Sequence, residues 1–143
     1  MKRNISRTIL LAAAALFLGT VAYGQEVKAR VVVPFDFVVA GNVLPAGDYV
    51  IRTATANTFA LSIMNDRTST LARSYPCTSS KVLQPSSQTK LVFHRINDTY
   101  FLYQVWSEGS SFGRQFPKGR VETEMARKSD SSEVVIAAAS DLR

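Results

Sequence analysis

The segment from Lys90 to Trp106 constrains the fold more than any other part of the chain. Two runs, Lys90 to Ile96 and Thr99 to Trp106, flank Asn97-Asp98, a pair suited to a tight turn between antiparallel strands. Both arms carry apolar residues on both faces: Leu91, Val92, Phe93 and Ile96 in the first, then Tyr100, Phe101, Leu102, Tyr103, Val105 and Trp106 in the second. A strand that is apolar on one face needs one covering layer, and a strand apolar on both needs two. The hairpin therefore belongs at the centre of a sandwich, or in the wall of a small barrel packed by a helix.

The rest of the body agrees with a β fold. Val27 to Val33 and Phe35 to Val39 read as one strand or two, because Pro34 cannot donate a ladder hydrogen bond and marks an edge, a bulge or a break. Ala40-Gly41-Asn42 turns the chain, and Leu44-Pro45-Ala46-Gly47 predicts a type I turn feeding a strand from Asp48 to Arg52. Phe59, Leu61 and Ile63 alternate with Ala60, Ser62 and Met64, and Asn65-Asp66 turns into a weaker strand around Ser69 to Tyr75, so this pair predicts a second hairpin. Pro76 to Thr89 is rich in serine and holds two prolines, which predicts a long mobile loop, and Ser107 to Gly113 predicts a flexible turn.

One segment has helical spacing. In Arg120 to Lys128, Val121 and Met125 stand four apart as an apolar face, Arg120 to Glu124 and Glu124 to Lys128 are placed to pair, and Glu122 and Glu124 read as the solvated face. Ser129 to Ser132 break the helix, Glu133 to Ala137 predicts a last strand, and Ala138 to Arg143 is expected to fray. The expected fold class is mainly β: a small antiparallel barrel or sandwich of about seven to eight strands with one short C-terminal helix, a barrel being slightly preferred.

The first 24 residues predict an address. Lys2, Arg3 and Arg7 form a basic region, Thr8 to Leu18 an apolar run, and Ala22-Tyr23-Gly24 offers small residues for a peptidase. This is the pattern of a secretory signal peptide, its apolar run too short for the roughly 20 residues of a bilayer span. The expected organisation is residues 1–24 as signal peptide and 25–143 as a single β-rich domain, exported to a periplasm or outside the cell. Cleavage also changes the charge. The whole chain has a formal +6 and a pI near 9.8, but 3 of its 17 Lys and Arg and none of its 11 acids precede residue 25, so the mature part carries 14 minus 11, or +3. That modest, dispersed charge argues against nucleic acid as a partner.

No chemistry announces itself. His94 is the only histidine and lies within a strand, where packing with one hydrogen bond is the expected role; one cysteine and scattered carboxylates do not form a metal set. Cys77 has no partner for an internal disulfide and is expected as a partly buried small residue; a Cys77 and His94 nucleophile pair lacks any local signature. Asp36 and Asp48 stand beside aromatics, as acids of sugar-binding and glycosidic sites do, but also as any strand with one wet face would have them. Tyr100, Phe101, Tyr103, Trp106, Phe112 and Phe116 read as core before pocket.

Pro34 to Phe37, Leu44 to Tyr49, Lys90 to Arg95 with Tyr100 to Leu102, Trp106, and Arg120 to Arg127 together resemble a group of small secreted bacterial β-rich proteins of unknown function. The resemblance spans nearly the whole mature chain and implies an exported β domain; it brings no activity with it. The leading expectation is a noncatalytic cell-envelope protein binding a protein partner or a small apolar ligand, without cofactor or metal. The alternatives are a small-molecule carrier using a barrel cavity, and an envelope polysaccharide or peptide hydrolase using carboxylates such as Asp36 or Asp48.

Overall fold

In the computed structural model, which describes residues 28–54, 59–68 and 73–140, Pro34 divides the N-terminal run in two and the halves enter different sheets. The expected signal peptide lies outside the described residues. The elements in order are β1 (Lys28–Val33), β2 (Phe37–Val39), β3 (Asn42–Leu44), β4 (Gly47–Thr53), β5 (Ala60–Asn65) and β6 (Arg73–Pro76). Then come β7 (Thr78–Lys81), β8 (Lys90–Ile96), β9 (Thr99–Trp106), β10 (Phe112–Gln115), α1 (Arg120–Ala126), β11 (Ser131–Ala137) and β12 (Ala139–Ser140).

The first sheet has the order β12-β1-β4-β5-β6, the second β11-β8-β9-β10-β7 with β2 and β3 attached to β9. They face each other as a sandwich and do not close into a barrel, so the preference for a barrel is corrected. The strands are also more numerous and shorter than expected, because proline and left-handed turns interrupt runs that read as continuous. Pro34 ends β1, and Ala40 and Gly41, at φ 47° and 81°, form a two-residue turn between β2 and β3. Two consecutive positive φ values are the geometry that matches strand twist in a hairpin.

The 90–106 hairpin is formed as expected and sits at the centre of the second sheet. Ile96 pairs with Thr99 across a turn in which Asn97 takes φ 54°. The far edge of β9 is shared: Tyr100 and Phe101 receive β2 in parallel, and Gln104 to Trp106 receive β10. The two faces of this hairpin are met by the first sheet on the inner side and, through Glu122 and His94, by α1 on the outer side. At Gly113 a Cβ would stand 2.7 Å from the Trp106 ring, so only glycine lets the indole lie flat on β10.

The core lies between the sheets. Val31, Val33, Tyr49, Ile51, Leu61 and Ile63 point in from the first sheet, and Phe37, Leu91, Phe93, Leu102 and Val105 from the second. Phe93 meets Phe35 and Phe37 edge to face at centroid distances of 5.3 and 5.6 Å, and Phe37 meets Tyr49 the same way at 5.2 Å. These rings tie the sheets together across the sandwich.

Three local expectations are overturned. The serine-rich loop contains β7, which pairs with β10 from Thr78 to Lys81; β10 itself begins at Phe112, inside and beyond the expected turn. Weak intrinsic propensity is overridden because each strand offers the other an edge. Of the six residues expected to fray, Ala139 and Ser140 pair with Arg30 and Ala29 of β1, while residues 141–143 lie outside the described residues. Finally, the helix docks through Glu122 and not through Val121: Val121 is 63% exposed and Glu122 5%, while Met125 is half-buried as expected. The Arg120–Glu124 pair forms at 2.9 Å, while Lys128 lies beyond the last helical turn.

Candidate functional site

Among the described residues, β3 is paired through its backbone only with β2 and β6 only with β5, so each is an edge, and a side-chain bond brings the two edges together. Arg73 Nη1 bridges them to Asn42 Oδ1 at 3.3 Å. Between them opens a cleft of about 340 Å³. Val43, Leu44 and Pro45 form one wall, Tyr49, Ile63 and Tyr75 the floor, and Asn65 and Arg73 stand at the rim.

The Leu44 to Gly47 turn carries the chain from the second sheet to the first and is held from two sides. The Ala46 N–H donates to Asp36 Oδ1 at 2.8 Å, and the Tyr49 hydroxyl donates to the Pro45 carbonyl. Asn65 Oδ1 accepts from the N–H groups of Arg67 and Thr68 at 3.1 and 3.2 Å, which leaves its amide to bond the Tyr49 oxygen. Tyr49 is therefore fully engaged.

Tyr75 is not. It is 4% exposed, and its hydroxyl is buried without a hydrogen-bond partner. An orphaned buried hydroxyl costs roughly 1–3 kcal/mol, so native proteins seldom keep one without a use. Arg73 is the matching feature at the rim: among the described residues no carboxylate pairs with it. The acids near this end are already spent, Asp66 on Arg30 at 2.9 Å, Asp48 on Arg67 at 2.8 Å and Asp36 on the turn.

Burial pushes the Tyr49 phenol above its ordinary value; Asp36 and Tyr75 act in the same direction and the Asn65 hydrogen bond opposes them. Burial likewise pushes the Cys77 thiol up, with Arg114 opposing. Both groups are thus held neutral by the fold. Their contribution to stability is complete below the ordinary values of 9.0 and 10.0 and is lost as pH rises through the higher folded values. The urea midpoint is expected to hold level up to about pH 9 and then to fall, and Cys77→Ser, which removes the thiol, should delay the onset.

The residues singled out by sequence are placed as follows. His94 lies on the outer face of the second sheet, its Nδ1 3.0 Å from Glu122 Oε1 and its ring stacked on Tyr103 at 3.9 Å. Facing a carboxylate, that nitrogen carries the proton and donates. The glutamate read as solvated is instead the docking group of the helix. Cys77 belongs to the core between the sheets, so it and His94 stand on opposite sides of β8 and form no pair. Asp36 and Asp48 serve a turn and a surface ion pair.

Tyr100 stacks on Phe35 at 3.8 Å, and Phe101, Trp106 and Phe116 are buried, in keeping with the core reading. Phe112 is 56% exposed beneath Lys81 Nζ at 5.6 Å. Among the described residues no group of three or more His, Cys, Asp or Glu is placed to hold a metal ion, and no helix is long and apolar enough to cross a membrane. The cleft residues Asn65, Arg73 and Tyr75 passed in the sequence as turn and weak-strand positions. No local signal marks them, because the cleft exists only once positions 42 and 73 are brought together. No family model, curated protein or solved structure matches the chain.

Proposed function

We propose that the chain is an exported, noncatalytic binding protein of the cell envelope whose ligand lies in the cleft between β3 and β6. The observation that carries this reading is the cleft itself, about 340 Å³ with Val43, Leu44, Pro45 and Ile63 as apolar lining and Asn65 and Arg73 as polar groups at its rim. A few polar groups converging on a largely apolar concavity are the usual make-up of a small-molecule site. The basic, apolar and small-residue order of residues 1–24 supports export to a periplasm or outside the cell. Noncatalytic binding is favoured over hydrolysis because, among the described residues, the cleft brings together no nucleophile with a base and no pair of free carboxylates.

Native mass spectrometry tests the reading. The protein purified from its own host is expected to carry a small molecule that leaves on denaturation. Val43→Trp, at a wall position 71% exposed where folding is not at stake, should abolish it. A single empty mass, or a ligand retained unchanged by Val43→Trp, overturns the assignment.

A further inference from the structure

We propose that a second site lies over β10 and β7 and takes an acidic sugar, its carboxylate on the Arg114 guanidinium, its hydroxyls on Ser79, Ser107 and Ser111, and one face of its ring on Phe112. All five side chains line one concavity of about 470 Å³, and none of them lines the cleft between β3 and β6.

Backbone pairing builds the site in advance. Arg114 pairs with Val105 of β9 on one side and with Ser79 of β7 on the other, so its backbone is fixed and its side chain leaves the sheet on the same face as Ser79. The 107–111 loop that closes the concavity is tied to the segment after β7. Val82 donates its N–H to the Ser111 carbonyl at 2.9 Å, Ser86 to the Ser110 carbonyl at 2.9 Å, and Gly109 to the Ser86 carbonyl at 2.8 Å. The buried Ser110 hydroxyl locks the turn onto the Phe112 backbone, donating at 2.9 Å and accepting at 3.1 Å. A site held in this way has little ordering left to undergo on binding.

Charge selects an anion. Arg114 is half-buried, yet among the described residues its guanidinium donates no hydrogen bond and meets no carboxylate; its contact is the Phe59 ring, 5.8 Å away at the centroid. A contact with a ring consumes none of the five N–H donors, which stay available to a planar acceptor. Residues 55–58, just before Phe59, include no acid. Lys81, 5.6 Å from the Phe112 centroid, adds a second cation beside the site, and Glu108 of the same loop is exposed and outside the lining.

The hydroxyls and the ring select a sugar over a bare anion. Among the described residues the hydroxyls of Ser79, Ser107 and Ser111 make no hydrogen bond, and each can both donate and accept, as sugar hydroxyls do. A simple anion would use only their donors. Phe112 is 56% exposed, and the C–H face of a pyranose laid on it takes apolar surface out of water. The volume lies within the range of small-molecule sites and well above that of an inorganic ion.

Calorimetric titration with galacturonate, glucuronate and mannuronate disaccharides, each against its methyl ester, provides the test. At least one acid is expected to bind about tenfold or more tightly than its ester, the worth of one charge-assisted pair. Arg114→Gln should bring that acid down to the affinity of its ester, Arg114→Lys should keep it above the ester, and Phe112→Ala should weaken acid and ester alike severalfold. Val43→Trp should change none of these values, which separates the site from the cleft. Binding by none of the acids, esters that bind as well as their acids, or acid binding that survives both Arg114→Gln and Phe112→Ala overturns the proposal and leaves the cleft to be judged by the native mass spectrum. Acid binding lost in Val43→Trp overturns the second site and places the sugar in the cleft.

Discussion

Replacing Phe93 by alanine is expected to remove about 3–5 kcal/mol of folding stability, a large share of the 5–15 kcal/mol typical of a single domain. Phe93 is 0% exposed and is the ring on which Phe35 and Phe37 both close edge to face. It stands on β8, which is bonded to β9 on one side and β11 on the other, so the neighbouring backbone cannot collapse into the space left behind. Urea unfolding reads the loss directly. Phe112→Ala is the companion measurement: that ring is 56% exposed and its aromatic contact is with a lysine, so a change of about 0.5 kcal/mol or less is expected. Similar losses at both positions would mean that the sandwich interior is not the source of stability.

Glu122→Ala is expected to cost about 2–3 kcal/mol and to release the helix from the sheet. The carboxylate is buried at 5% exposure and its partner, His94, is itself held against Tyr103, so removing one member strands a polar ring at a half-buried position. A seven-residue helix does not persist on its own in water, and α1 has no side-chain cap at its start. Amide exchange over residues 120–126 should therefore rise well beyond what the drop in global stability explains. Glu124→Ala, two positions on, removes a pair between side chains that are 92% and 56% exposed and should cost about 0.5 kcal/mol or less. Equal effects at 122 and 124 would show that the acidic face is not what docks the helix.

These two positions also show where sequence reading succeeds and where it stops. Phe93 was legible: an aromatic within a run that is apolar on both faces has to be buried whatever the topology. Glu122 was not. Helical spacing identified the helix and its start, but the choice of Glu122 over Val121 as the docked side chain was made by His94, 28 residues away. A pairing of that range leaves no periodic trace. The same holds for β7, which reads as a serine loop until β10 offers it an edge, and for Ala139 and Ser140, which pair because β1 offers them its other side.

The candidate site repeats the pattern more strongly. Its turn was legible in Leu44-Pro45-Ala46-Gly47, since proline and glycine report backbone geometry locally. Its floor was not, since Tyr75 and Arg73 gain meaning only from the opposing edge 31 positions earlier in the chain.

By itself, then, the sequence determined the strand-rich class, the central hairpin, the main turns and the helix that starts at Arg120, because side-chain period and turn chemistry act over a few residues. The tertiary structure alone decided the sandwich over the barrel, the face by which the helix docks, and the opening between β3 and β6. Those depend on which edges and faces meet, and the free energy of such meetings belongs to residue pairs far apart in the chain.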